Sequence, residues 1–190
     1  MINLWYALAA VLAVFLLITA SCQQYDYISP SPGTIEVRLQ TISSKIAFSP
    51  LNNFILRVKS VEGIRPNSSR VLVFEDLRAK GRTSSKYNTL DFRAQDASLV
   101  IGQGYAPPDD YLGVDLTVEP GDTVVLNGYQ FIRVDRPEGF KPLLQFRRPF
   151  KVSESRSTTI VLTINLDSSL VQGASTYQFR PYYYISSISQ

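Results

Sequence analysis

From Gly33 onward, apolar and polar residues alternate with a period of two in one segment after another, and turn signals fall between the segments. Period two puts successive side chains on opposite faces of an extended chain, so each segment reads as a strand with one face buried. Ile35, Val37 and Leu39 alternate with Glu36, Arg38 and Gln40. Phe54 to Val61 and Arg70 to Phe74 are β-branched and aromatic, which suits a pleated, half-buried surface. Leu112, Val114, Leu116 and Val118 face one way, with Gly113, Asp115 and Thr117 opposite. Ile160, Leu162 and Ile164 alternate with Thr159, Val161 and Thr163, and Tyr177, Phe179, Pro181, Tyr183 and Ile185 share one parity. Glu119-Pro120-Gly121-Asp122 reads as a turn, since Pro presets one central position and Gly supplies the positive φ of the next. Asn127-Gly128, inside Val124 to Val134, reads as a hairpin dipeptide. No long amphipathic helix interrupts the pattern after residue 22. Asp96 to Gly102 reads as one helical turn, and Arg78 to Asn88 is the most loop-like stretch. The expected fold is therefore all-β: a single β-sandwich of about seven to nine mainly antiparallel strands over residues 33–190, preceded by an N-terminal hydrophobic signal or anchor helix.

The N-terminus carries its own signature. Residues 1–21 hold no charged side chain, and Leu4 to Ile18 is an unbroken apolar run followed by Thr19, Ala20, Ser21 and Cys22. That is the apolar region and cleavage site of a secretory signal. At 15 residues it is short for a span, which needs roughly 20. Cys22 is the single cysteine of the chain, so no internal disulfide is available to it. It stands where a bacterial lipoprotein carries its acylated cysteine. Thr19-Ala20-Ser21-Cys22 resembles the lipobox, with Thr in place of the usual Leu and no Lys or Arg in Met1-Ile2-Asn3. An uncleaved N-terminal anchor is the alternative. On both readings the domain is extracytoplasmic and membrane-anchored, with residues 22–32 (through QQYDYISPSP) as a polar, Pro-punctuated tether. By resemblance to enterobacterial lipoproteins, Gln23 after the cysteine is permissive for outer-membrane sorting.

Several kinds of chemistry are missing from the residue inventory. The chain has no histidine and one cysteine, so the commonest general base, the commonest zinc ligand and a thiolate cluster are lacking. There is no Gly-rich phosphate loop and no Gly-x-Ser-x-Gly elbow. The reading is accordingly not an enzyme, with no cofactor. A net charge of +3 is too mild to argue for nucleic acid. Basic residues prevail from Arg38 to Arg93 and acidic ones from Asp96 to Asp135, which describes a dipolar, solvated surface.

Three positions offer candidate sites. Asp109 and Asp110 follow Pro107-Pro108 and read as solvated turn residues. With Asp115, Glu119 and Asp122 nearby they supply the oxygen ligands of a calcium site, or the carboxylates of a hydrolase. If Tyr183 faces the core, Tyr182 and Tyr184 face outward on the same strand as Gln178 and Arg180. Exposed rings beside an arginine make a platform for a sugar or a protein surface, against the plainer reading of a cross-strand aromatic pair. Asn67-Ser68-Ser69 fits the N-glycosylation acceptor, with a meaning that depends on the host.

Several of these segments, taken in order, resemble one family. Gly33 to Leu39 (GTIEVRL) is similar to the opening strand of the bacterial and archaeal lipoprotein domains called domain of unknown function 4382. Leu90-Asp91-Phe92 resembles its Asp-containing strand, and Ala106 to Tyr111 followed by Leu112 to Leu116 its small loop and alternating strand. Pro149 to Val152 through Ile160 to Asp167 resembles its paired C-terminal strands, and Tyr177 to Pro181 its closing one. Gln40-Thr41-Ile42 departs from the family's Thr-Asp-Ala-Pro. The resemblance implies a prealbumin-like or immunoglobulin-like sandwich at the cell surface and no activity. The expected function is a non-enzymatic surface lipoprotein that binds a carbohydrate or an envelope protein partner. The alternative is a structural subunit of a surface filament or envelope assembly, in which the extended N-terminal segment before or including Thr34 to Thr41 adds to a neighbour's sheet edge.

Overall fold

The computed structural model describes residues 29–43, 51–75, 86–90 and 97–190. The apolar run, Cys22, most of the tether, much of the loop after Arg78, Asp91 and Phe92 of the quoted motif, and Asp96 lie outside the described residues. Among the described residues, no helix is long and apolar enough to cross a membrane.

The described chain is all-β, as its periodicity requires. The strands are β1 (Gly33–Ile42), β2 (Leu51–Ile64), β3 (Arg70–Glu75), β4 (Lys86–Asn88), β5 (Ser98–Ala106), β6 (Asp109–Tyr111) and β7 (Gly113–Leu126), then β8 (Gln130–Asp135), β9 (Leu143–Phe146), β10 (Phe150–Val152) and β11 (Ser157–Asn165). A four-residue helix, α1 (Leu166–Ser169), precedes β12 (Leu170–Gln172), β13 (Tyr177–Phe179) and β14 (Tyr183–Ser189). These 14 strands exceed the expected number because β4, β6, β10, β12 and β13 have three residues each. Three residues are too few to display a period.

A four-stranded sheet has the order β14-β11-β1-β5, and a larger one runs β12-β13-β8-β7-β2-β3, with β4 added to β2 and β9 to β7. β6 and β10 form a separate pair. β1 pairs parallel to β11 and antiparallel to β5, and alternates between buried and half-buried along its whole length. One apolar cluster draws on both larger sheets. Ile35, Val37, Leu39, Ile160, Leu162 and Ile164 come from the first, and Phe54, Leu56, Val58, Val61, Val114, Leu116 and Val118 from the second. Gly102 and Gly104 of β5 lie close against β3. A Cβ at Gly102 would stand 2.9 Å from the Phe74 Cβ, and one at Gly104 would stand 3.3 Å from the Val73 backbone.

Four expectations need correction. Glu119-Pro120-Gly121-Asp122 is no turn but the middle of β7. On one edge β7 pairs with β9 over Val114 to Thr117 and with β8 over Thr123 to Leu126. Pro120 sits in the gap between those two partners, where a missing N–H breaks no ladder bond. On the other edge Leu56 faces Pro120 while Phe54 faces Val124, so the extra residues bulge over Ile55. Leu112 is exposed and precedes β7, so the alternation begins at Val114, while Asp115 is buried rather than solvated. Ser98 to Gly102 is strand, not helical turn. Its alternation is hidden by a bulge opposite Val37 and Arg38 that buries both Ile101 and Gly102. Finally, Tyr177 to Ile185 is two strands in two sheets, joined by an extended step at Arg180-Pro181-Tyr182. The hairpin at Asn127-Gly128 forms as read, with φ of 53° and 80° and Tyr129 N–H donating to Leu126 O at 3.3 Å.

Candidate binding site

The step between β13 and β14 is held by α1. Asn165 caps this helix, its Oδ1 accepting from Ser168 N–H at 3.1 Å. Ser169, fully buried, donates through Oγ to Asn165 O. The same residue accepts twice from the crossing chain: Arg180 N–H donates to its carbonyl at 2.8 Å and Tyr182 N–H to its Oγ at 2.9 Å. Asn165 N–H donates to Tyr182 O at 3.0 Å. Arg180 and Tyr182 therefore project from a backbone fixed on both sides of Pro181.

Phe179 is fully buried, and its neighbours alternate outward as expected. Arg180 is exposed and donates to Gln178 Oε1 at 2.8 Å. Tyr182 and Tyr184 are 58% and 41% exposed, and their rings meet edge to face at 6.5 Å. Arg180 and Tyr182 thus line one cleft, and Tyr184 joins it only through its ring contact with Tyr182, Gln178 and Tyr184 belonging to different sheets.

This cleft is open and about 560 Å³ in volume, within the range of small-molecule sites. Arg180, Pro181, Tyr182 and Tyr183 form one wall. Most of the rest of the lining comes from the loop between β8 and β9, which sequence reading missed: Glu138, Phe140 and Lys141, followed by Gln145 of β9. Phe140 fixes this loop by packing its ring on Phe179 at 6.1 Å, and Phe179 in turn packs on Phe54 at 5.3 Å. Tyr183 closes the floor, its hydroxyl accepting from Gln145 N–H at 3.2 Å and its ring lying 4.7 Å from Phe146. The overlooked signal was an aromatic between two prolines in a polar loop, Pro137-Glu138-Gly139-Phe140-Lys141-Pro142.

The acidic residues do not gather. Asp109 pairs with Arg65 at 2.7 Å, and Asp110 is exposed opposite Lys151. Both lie on β6, facing opposite ways, rather than in a loop. Glu119 takes Arg57 at 2.7 Å and Lys59 at 3.0 Å, and Asp122 takes Arg136 at 2.8 Å. Asp115, 1% exposed, lies between Arg147 at 2.6 Å and Arg70 at 3.3 Å. The Arg70 contact is a charge contact only, because Oδ2 of Asp115 has no aligned donor. Among the described residues no cluster of acids, cysteines or histidines is suited to a metal ion. Asn67 is exposed in the β2–β3 turn, its Oδ1 accepting from Ser69 N–H and Oγ.

Lys59, then Arg57, hydrogen-bond to Glu119 and hold its carboxyl below the usual range, as Arg65, then the Asp110 N–H, do for Asp109. Folded values depressed in this way contribute stability that is present above the unfolded pKa and lost as pH falls through the folded one. The unfolded values are about 4.3 for Glu and about 3.9 for Asp. Melting temperature should therefore fall as pH drops from about 4.5 towards 2. Glu119→Gln and Asp109→Asn should flatten that slope, as read by circular dichroism. An unchanged acid limb in the double variant would assign it to other groups.

No family model, no curated protein and no solved structure matches the chain, so the site is read on its own geometry.

Proposed function

We propose that the chain is an extracytoplasmic lipoprotein, held to a membrane through Cys22 or its N-terminal apolar helix. Its two larger sheets close as one β-sandwich, and the cleft beside Tyr182 binds a carbohydrate without catalysing a reaction. The observation that carries this reading is the cleft itself. Exposed aromatic rings suit the apolar faces of a sugar, and the amide, guanidinium, ammonium and carboxylate groups around them suit its hydroxyls. The rigid step through Pro181 supports it, because a pre-positioned site loses little freedom on binding. Within the assembly alternative, donation of β1 itself has less support than donation of the segment before it, since β1 already lies between β5 and β11 of its own sheet and would have to leave it to serve a neighbour. The kinship with domain of unknown function 4382 rests on the short motifs alone.

The test is a glycan-binding screen with the full chain in detergent, beside the Tyr182→Ala/Tyr184→Ala variant. Binding should weaken by about tenfold or more in the variant. Glycan binding that ignores both tyrosines would move the site elsewhere, and no glycan binding by either protein would favour a protein partner. In the same preparations, expression with labelled palmitate should label the protein, and Cys22→Ser should abolish the label. An unlabelled, full-length parent would favour the uncleaved anchor.

A further inference from the structure

The cleft differs from the one on the neighbouring face of its loop in how its charges are matched. Many arginines sit on carboxylates, among them Arg38 on Glu36, Arg57 on Glu119, Arg65 on Asp109, Arg133 on Asp135, Arg136 on Asp122 and Arg147 on Asp115, whereas Arg148 donates to the Ile185 carbonyl instead. A second cleft shares Pro137, Gly139 and Phe140 with the first, on the other side of the same loop. Its cations, Lys59 and Arg136, are neutralised in this way by Glu119 and Asp122. In the first cleft neither Arg180 nor Lys141 has a carboxylate partner among the described residues. Arg180 is oriented by the neutral Gln178 Oε1, leaving the remainder of its donor fork exposed. One carboxylate, Glu138, lines the same cleft, so two cations face the ligand space against one anion.

We infer that the saccharide bound in the Tyr182 cleft is an acidic one, bearing a carboxylate or sulfate that is met by Arg180 and Lys141. The inference rests on the carbohydrate reading above. A guanidinium offers a planar pair of donors to a carboxylate or sulfate, and lysine adds a mobile point charge in the same cleft. Tyr182 supplies the ring face against which the sugar stacks. Glu138 faces the remaining hydroxyls and opposes ligands with more than one acid group close together.

The experiment uses the full chain in detergent and three matched pairs of probes. These are hexagalacturonate and its methyl ester, sialyllactose and lactose, and a sulfated galactan hexasaccharide and its desulfated form. In at least one pair the acidic member should bind about tenfold or more tightly than its neutral counterpart. Arg180→Gln and Lys141→Gln should each weaken the acidic member more than the neutral one and so reduce that preference. Raising the salt from about 0.05 to 0.5 M should weaken the acidic member selectively. Equal binding of acidic and neutral members, still lost with Tyr182→Ala, would overturn the acidic-ligand inference and leave the carbohydrate reading standing. An acid preference that survives both glutamine variants would place the charge recognition outside this cleft and overturn it as well. Failure of every pair to bind would remove both readings together. Unchanged near-ultraviolet circular dichroism in each variant establishes that it is folded.

Discussion

Tyr111→Ala is expected to lower the unfolding free energy by about 3–5 kcal/mol, the range for emptying a large aromatic from a core. Tyr111 is fully buried at the end of β6, with its ring stacked on Phe150 at 5.1 Å and its hydroxyl donating to Pro107 O at 3.0 Å. Gly63 of β2 lies under the ring, where a Cβ would approach to 3.0 Å. The ring therefore joins β2, the two-stranded β6–β10 pair and the Pro107-Pro108 corner. Its removal takes away a large apolar surface and the ring stack, and leaves the Pro107 carbonyl without this donor. Against a typical total of about 5–15 kcal/mol, the loss is a large fraction of stability. Urea unfolding reads the effect through tyrosine fluorescence, because the single tryptophan, Trp5, lies in the N-terminal apolar run. Leu72→Ala, at an exposed position on β3, is the control and should change stability by about 0.5 kcal/mol or less. Equal midpoints for the two variants would show that the corner is not part of the cooperative core.

Gly113→Ala is expected to be comparably severe, at about 3 kcal/mol or more, by strain instead of a cavity. A Cβ at Gly113 would lie 2.0 Å from the Phe146 carbonyl oxygen and 3.2 Å from the Arg147 Cα. Both are backbone, so no side chain can swing away to relieve the contact. Accommodation would require β7 and β9 to separate where Val114 pairs with Phe146, next to the Arg147–Asp115 ion pair. The expected results are a lower urea midpoint and faster amide exchange at Val114 to Thr117. A midpoint equal to that of the parent would mean that β9 shifts freely.

The residues that were easiest to read are those whose partners matter least. Ile35, Val37 and Leu39 declare β1 because one face of that strand is buried along its whole length, and burial alone writes the pattern. Arg180, Tyr182 and Tyr184 emerge as expected even though the chain changes sheets among them, because the extended step at Pro181 preserves the parity. Pro120-Gly121 misled for the opposite reason. A turn and a bulge use the same local residues, and which one forms depends on how β2, β8 and β9 pair around them. The same holds for Ile101 and Gly102, whose joint burial comes from a bulge against β1. Asp115 reads as a solvent-facing residue until Arg70 and Arg147 arrive from β3 and from the end of β9. The Pro137 to Pro142 loop carries only its aromatic between two prolines as a sign in sequence, and its place in the cleft depends on the fold, which brings Phe140 against Phe179.

The position of β1 also decides how the molecule carries load. Any pull transmitted from the N-terminal side of the chain reaches the described domain just before Gly33, the first residue of a strand that is bonded along both of its sides. A force along the strand axis is shared by the bonds to β11 and to β5 at once, instead of opening one bond after another as it would in peeling an edge strand. The domain is thus built as a shear joint at the end where it would be tethered. A load applied at the far side of the domain would be met by a sheet that keeps its register around β1.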